Sequence, residues 1–130
     1  MLGEKADLIR QGIELFNKAN IPELMELYDD SVEVESQGSI IGGNFRGKQG
    51  LAEWFQKVGN TYSGGIRLHV ENLYEAPDAV ICEWTAKGKL ANGEEIQGKT
   101  LNVFEFRGSK VAKHRLYSDT EQLARAMGRL

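Results

Sequence analysis

Four polar residues lie within otherwise apolar strand segments, where their side chains could carry acid–base chemistry. Glu35 ends a short strand, Asn102 lies inside a long strand, and His114 shares one face of the last strand with Ser118. A carboxylate in an apolar cavity is poorly solvated, which makes it a better base toward an acidic C–H. The enolate formed needs a hydrogen-bond donor, often worth ~3 kcal/mol or more. These residues predict proton transfer with Glu35 as base and Asn102 and His114 as donors.

Each of these three residues also has a purely structural interpretation, and the sequence leaves it open. A glutamate at the end of a strand is commonly exposed, so Glu35 need not face a cavity. Asparagine is depleted in strands, which favours a lining position for Asn102. His114 fits a core histidine bonded to the backbone as well as it fits a ligand contact.

Strand alternation predicts the apolar lining of the cavity. The face of the last strand that carries no Lys or Arg is the predicted interior. In the preceding strand, the face that carries the phenylalanines is predicted to point inward. A mostly apolar cavity with few polar groups is the usual form of a small-molecule site. Tyr28 and Trp54 lie on apolar helix stripes, a position that favours packing. The predicted substrate-contacting residues are Phe16, Trp54, Phe55, Trp84, Phe104, Leu116 and Ser118.

Helical patterns come first along the chain, and long alternating strands follow. Asn20 and Asp119 are predicted helix caps, and Asn92-Gly93 is a strong hairpin signal. This order predicts an α+β fold with the helices folded onto one face of a bent antiparallel sheet. The predicted helices cover residues 4–19, 20–28 and 48–58, and a short C-terminal helix is closed by Gly128. The predicted strands cover residues 32–35, 66–71, 79–90 and 111–118, and a further strand before the last one ends at residue 106.

Composition bounds the class of protein. The chain has 130 residues, 41% hydrophobic and 27% charged, which predicts one domain over residues 1–130. A net charge of −3 with dispersed basic residues argues against nucleic acid as a partner. No apolar run reaches membrane-spanning length and the start of the chain is polar, so we expect a cytoplasmic protein with no membrane partner. No residue cluster has metal-ligand spacing, and we expect neither a metal nor a cofactor.

The order of several short segments resembles the SnoaL-like group of the nuclear transport factor 2-like superfamily, which also contains the ketosteroid isomerases. The segments are Ile13-Glu14-Leu15-Phe16, Leu27-Tyr28-Asp29-Asp30, Phe45-Arg46-Gly47-Lys48 and His114-Arg115-Leu116-Tyr117-Ser118-Asp119. The resemblance implies a cone-shaped half-barrel, commonly dimeric, with a mixed sheet wrapped around the N-terminal helices and a ligand pocket in the cone. It implies no single reaction, because the superfamily includes isomerases, cyclases, epoxide hydrolases and non-catalytic members.

Compared with the ketosteroid isomerases, the resemblance gives Glu35 the place of the general base and Asn102 that of a protonated acid that donates to the oxyanion. Gly12 stands where those enzymes have a helix tyrosine. The aspartate that epoxide hydrolases and several cyclases use in the last strand is replaced by Leu116. The charged residues of their central strand are replaced by Trp84 and Ala86, so the resemblance does not support epoxide hydrolysis here.

The residues and the resemblance together leave three alternative functions. The first is a pocket protein that binds a small apolar, carbonyl-containing molecule and transfers a proton without a metal. The second is a non-catalytic carrier or sensor with the same fold, and the third is a protein–protein adaptor, which predicts a filled cone. The other face of the sheet carries apolar residues that suit a homodimer interface, namely Leu101, Val103, Val111 and Tyr117.

Overall fold

A computed structural model describes residues 3–38 and 40–128. In that part of the chain, four helices pack on one six-stranded sheet, which confirms the predicted α+β cone. The helices are α1 (Glu4–Asn17), α2 (Ile21–Met25), α3 (Gly47–Thr61) and α4 (Thr120–Ala126). The strands are β1 (Tyr28–Ser36), β2 (Gly43–Arg46), β3 (Ile66–Ala76), β4 (Ala79–Lys89), β5 (Glu95–Arg107) and β6 (Lys110–Ser118).

The sheet is open and mixed, with the strand order β2-β1-β6-β5-β4-β3. Only β1 and β6 pair in parallel, and this pairing sets Val34 beside His114. The helices α1 and α3 cover the inner face, where they contact β3 and β1 respectively. Apolar side chains on that face are fully buried, among them Val32, Val34, Val80 and Cys82. The core therefore lies inside the bend of the sheet.

The second helix is shorter than the sequence predicts. Asn20 caps it as expected, because its side-chain oxygen accepts from the Glu23 N–H at 3.4 Å, and Pro22 lies in the first turn. The helix ends at Met25, and the chain enters β1 at Tyr28 instead of continuing as a helix through that residue. A further strand, β2, was not predicted in the glycine-rich segment that follows β1.

A bulge at the start of β6 corrects the predicted position of Val111. Simple alternation places Val111 on the outer face, but the register between β5 and β6 shifts by one residue after the Glu105–Lys113 pair. Val111 is therefore buried in the core. The outer face keeps exposed apolar side chains at Tyr74, Ile81, Leu101 and Tyr117. A homodimer through this face stays a prediction.

No helix in residues 3–38 and 40–128 is long and apolar enough to span a membrane.

A carboxylate from the sheet holds the first turn of α1. Gly3 at the N-cap has no side chain to accept from the free amides of the helix. Glu75 on β3 accepts from the Gly3 N–H at 2.9 Å and from the Ala6 N–H at 2.7 Å. These backbone hydrogen bonds lower the pKa of Glu75 below its ordinary value. The contact fixes α1 against the sheet and so helps to position one wall of the interior.

We predict that Glu75→Gln lowers the free energy of unfolding at pH 7. An amide keeps one acceptor oxygen and loses the charge that the two N–H groups favour. Because the folded-state pKa of Glu75 is lowered, its stabilisation is full above the unfolded value of about 4.5 and is lost as the pH falls through the folded value. Urea unfolding followed by circular dichroism at pH 7 and pH 3 measures the difference.

The control for this prediction is Glu53→Gln, which makes the same chemical change at an exposed position of α3. The variant at position 75 should be less stable than the control at pH 7, and the difference between the two should be smaller at pH 3. Equal stability of the two variants at pH 7 would show that the Glu75 contact does not stabilise the fold.

Candidate ligand-binding cavity

A cavity of about 130 Å³ lies between the inner face of the sheet and the helices α1 and α3. Its walls are mainly aromatic and aliphatic. All seven residues predicted to contact a substrate line it: Phe16, Trp54, Phe55, Trp84, Phe104, Leu116 and Ser118. His114 lines it as well. For scale, an engineered apolar cavity of about 150 Å³ in another protein binds benzene.

The exposed lining residues gather at one end of the cavity, which identifies its mouth. They come from the segment after β1, including Gln37 and Gly38, and from the start of α4. Asp119 caps α4 as predicted, since its Oδ1 accepts from the Gln122 N–H at 2.9 Å. A side chain at position 38 would collide with Thr120, so the glycine permits the close approach of the two segments. Polar groups therefore lie at the entrance and apolar groups lie deeper.

His114 is the central residue of the deep end, with only 1% of its surface exposed. Four aromatic rings surround its imidazole: the ring centroids lie 4.0 Å away for Phe104, 5.6 Å for Trp54, 6.2 Å for Trp84 and 6.4 Å for Tyr28. Burial in these apolar surroundings lowers the pKa of His114 to about 3. The imidazole is therefore neutral at physiological pH.

Both ring nitrogens of His114 are hydrogen-bonded. Nε2 lies 2.9 Å from Oδ1 of Asn102, and Nδ1 lies 3.4 Å from the hydroxyl of Tyr28. Asn102 is itself fully buried and is bonded to the carbonyl oxygen of Cys82 at 3.1 Å. Four strands, β1, β6, β5 and β4, thus contribute to one buried polar chain.

The expectation that Glu35 faces the cavity is wrong. Glu35 directly follows Val34, which points inward, so the alternation of β1 turns the glutamate to the outer face. Its carboxylate lies 3.5 Å from Lys113 Nζ, and its side chain is 38% exposed. The pairing of β1 with β6 sets Glu35 beside Arg115, also on that outer face. A base at this position cannot reach a molecule in the cone.

The prediction that Asn102 lines the cavity and donates to a bound ligand is wrong. Asn102 is buried behind His114 and does not line the cavity, so it contacts the imidazole instead of a ligand. Gly12 lines the cavity, and a methyl group there would lie 3.3–3.4 Å from Leu24 and Leu27. Trp54 carries the one buried side-chain polar atom, Nε1, that lacks a hydrogen-bond partner in residues 3–38 and 40–128.

Tyr28 is the functional candidate that sequence reasoning assigned to packing. Tyr28 was assigned to the predicted second helix and not to a strand. Its even spacing from Val32 and Val34 is the signal that places it on the inner face of β1. It lines the cavity and its hydroxyl contacts His114. Burial raises the pKa of Tyr28 well above its ordinary value, so the phenol is protonated.

An α+β cone that encloses a small apolar cavity defines a class of pocket-bearing domains, and comparisons place the chain within it. A model of the SnoaL-like domain matches residues 9–114, so the chain belongs to the SnoaL-like domain family. A search of curated proteins gave no match.

Several solved structures share the whole fold. An NTF2-like protein of unknown function from Burkholderia pseudomallei is 16% identical, with 95% of this chain and 96% of that chain covered and a TM-score of 0.89. TerC, co-crystallised with polyporic acid, is 20% identical, with coverage of 92% and 98% and a TM-score of 0.84. A protein with a ketosteroid isomerase-like fold from Catenulispora acidiphila, in complex with trimethylamine, is 14% identical, with coverage of 93% and 92% and a TM-score of 0.81. These identities establish the fold alone.

We predict that His114 stays neutral from pH 8 down to pH 5. A histidine with an ordinary pKa near 6.5 changes its imidazole NMR shifts across this range, whereas a pKa of about 3 leaves them constant. The chain contains two histidines, so the His69→Gln variant assigns the signals of His114 in ¹H–¹³C spectra. A titration of the His114 signals with a midpoint near pH 6 would contradict the buried, apolar environment described above.

Proposed function

We propose that this protein binds a compact, uncharged apolar molecule in its cavity and serves as a carrier or sensor of that molecule. The observation that carries the proposal is a cavity of about 130 Å³ whose deep wall is built from aromatic rings around a neutral imidazole. Such a wall offers apolar contact and almost no charge, which favours binding over acid–base chemistry.

The size of the cavity supports a ligand of about one ring. Its volume is close to the roughly 150 Å³ that accommodates benzene in another protein. It is far below the volume of typical drug-sized sites, which is on the order of several hundred Å³. Seven aromatic residues line it, and aromatic pairs favour offset or edge-to-face contact with a further ring. A planar molecule fits such walls best. The seven residues are Phe16, Tyr28, Trp54, Phe55, Tyr62, Trp84 and Phe104.

The arrangement of charges argues against proton abstraction from the ligand. A general base must lie within hydrogen-bond reach of the proton that it removes. Among the described lining residues, Asp119 is the carboxylate, and it lies at the mouth with its Oδ1 bonded to the first turn of α4. His114 has both nitrogens engaged. The deep end thus holds no free base, which supports the non-catalytic alternative.

Two neighbours with the same fold were crystallised with small organic molecules, polyporic acid in TerC and trimethylamine in the Catenulispora acidiphila protein. They support the general idea that a cone of this shape holds a small molecule. They do not identify the ligand of this chain, because the identities are 20% and 14%. The third alternative, an adaptor, predicts a filled cone, and a cavity of this volume does not support it.

We predict that toluene raises the melting temperature of the parent protein and that Ala86→Leu abolishes this effect. Ala86 lines the cavity on β4, and a leucine there fills part of the space that the ligand needs. A ligand that binds only the folded state stabilises it by mass action. We expect the affinity for toluene, measured by isothermal titration calorimetry, to fall at least about tenfold, or ~1.4 kcal/mol.

Ala52→Leu is the matched control, because the same substitution falls on an exposed position of α3. The control should bind toluene as the parent does. The larger side chain at position 86 also costs roughly 1–3 kcal/mol through overpacking, so each variant is compared with its own ligand-free melting temperature. A parent protein without a toluene response, or an unchanged response in Ala86→Leu, would refute binding in this cavity.

A further inference from the structure

We propose that the ligand carries a hydroxyl group and that this hydroxyl donates a hydrogen bond to the phenolic oxygen of Tyr28. The inference rests on the proposed binding function and specifies the chemistry of the ligand. It replaces the carbonyl compound that the sequence predicted. The direction of each hydrogen bond in the buried chain behind the cavity wall determines which group a ligand meets there.

Asn102 sets the direction of the chain. Its amide nitrogen lies 3.1 Å from the carbonyl oxygen of Cys82 and 3.4 Å from that of Thr100. A carbonyl oxygen only accepts, so the amide NH₂ of Asn102 must point at these two atoms. Its Oδ1 therefore points at His114, and the opposite amide orientation would bring carbonyl oxygens together without a proton between them.

The orientation of Asn102 fixes the tautomer of His114. Oδ1 of Asn102 accepts only, so Nε2 of His114 carries the proton and donates at 2.9 Å. The imidazole is neutral, and a neutral imidazole holds one proton, so Nδ1 presents a lone pair. The neighbour of Nδ1 is the hydroxyl of Tyr28 at 3.4 Å. Among residues 3–38 and 40–128, this hydroxyl is the hydrogen-bond partner of the buried Nδ1.

Tyr28 consequently faces the ligand as an acceptor. Its single hydroxyl proton is directed to Nδ1 of His114, because without it a fully buried acceptor would be unsatisfied, which is costly. The oxygen of Tyr28 keeps lone-pair capacity for a second bond. Tyr28 and His114 both line the cavity, and the hydroxyl lies at the contact between these two residues. A ligand N–H or O–H meets a partner there, whereas a carbonyl oxygen would face another acceptor.

The other residues that line the cavity restrict the donor group of the ligand to a hydroxyl on a compact ring. An ammonium or carboxylate would lose its hydration without a partner charge, since the described charged lining residues, Lys99 and Asp119, lie among the exposed positions at the mouth. A hydroxyl is uncharged and carries its own lone pairs. A phenol or a small cyclic alcohol therefore combines the required donor with a ring that the aromatic walls can pack.

The test is a comparison of three one-ring probes in the parent protein and in Tyr28→Phe. Toluene has no polar group, phenol donates and accepts, and benzaldehyde only accepts. Isothermal titration calorimetry gives the ratio of the phenol to the toluene dissociation constant. We expect this ratio to rise about 5- to 10-fold in Tyr28→Phe, the change that loss of one buried hydrogen bond produces. The benzaldehyde-to-toluene ratio should change less than about 2-fold.

Tyr62→Phe is the matched control, because Tyr62 also lines the cavity and loses the same hydroxyl group in this variant. The phenol-to-toluene ratio should stay at the parent value there. Three results would overturn the inference: an unchanged phenol ratio in Tyr28→Phe, an equal rise for benzaldehyde, which would make Tyr28 a donor, or an equal effect of Tyr62→Phe. Failure of toluene itself to bind would instead refute the proposed function.

A second measurement covers the case in which Tyr28→Phe does not fold. In a crystal structure of the parent protein with phenol, the phenol oxygen should lie within about 3.2 Å of the Tyr28 oxygen. A phenol that occupies the cavity with its oxygen directed to the mouth would overturn the inference while leaving the proposed binding intact.

Discussion

One buried chain of hydrogen bonds, from Tyr28 through His114 and Asn102 to the carbonyl oxygen of Cys82, is the constraint on which the cavity depends. Polar atoms in a core must be paired, and a partly satisfied network costs more than an apolar one. Here, four strands supply the partners, and each bond has one possible direction. The chain therefore fixes the relative register of β1, β6, β5 and β4 at the place where they form the deep wall.

Strand alternation predicted much of the cavity. His114, Leu116 and Ser118 on β6, Trp84 on β4, Phe104 on β5 and apolar residues of α1 and α3 line it. The same rule, applied to β1, turns Glu35 outward next to Val34, so the prediction that placed Glu35 in the cavity did not follow the alternation of its own strand. Alternation could not locate Val111, because a bulge is set by tertiary packing and changes the parity of the residues around it.

Tyr28 shows a different limit of prediction from the sequence. Its apolar neighbours Leu24 and Leu27 recur at helical spacing, so the local pattern extended the second helix over it. The parallel pairing of β1 with β6 overrides that pattern, and no local signal reports a pairing between residues so distant in the chain. The strand β2 was missed for another reason, because the four residues Gly43–Arg46 have no alternating apolar pattern and form a strand by pairing with the neighbouring β1.

The SnoaL-like fold is compatible with many chemistries, and the lining residues of this chain restrict them. Leu116, Trp84 and Ala86 line the cavity, so these positions of β6 and β4 present apolar side chains and no charge. Burial in apolar surroundings also explains why His114 is neutral and why its bonds must be neutral ones. Such a wall can bind an apolar ligand, and the acceptor oxygen of Tyr28 can select ligands that donate a hydrogen bond.

The tautomer of His114 tests this account most directly, and ¹⁵N NMR of the imidazole at pH 7 measures it. The account predicts that Nε2 carries a proton and that Nδ1 has the shift of an unprotonated ring nitrogen. A proton on Nδ1, or on both nitrogens, would contradict it, because Tyr28 would then have its own proton free and would meet a ligand as a donor.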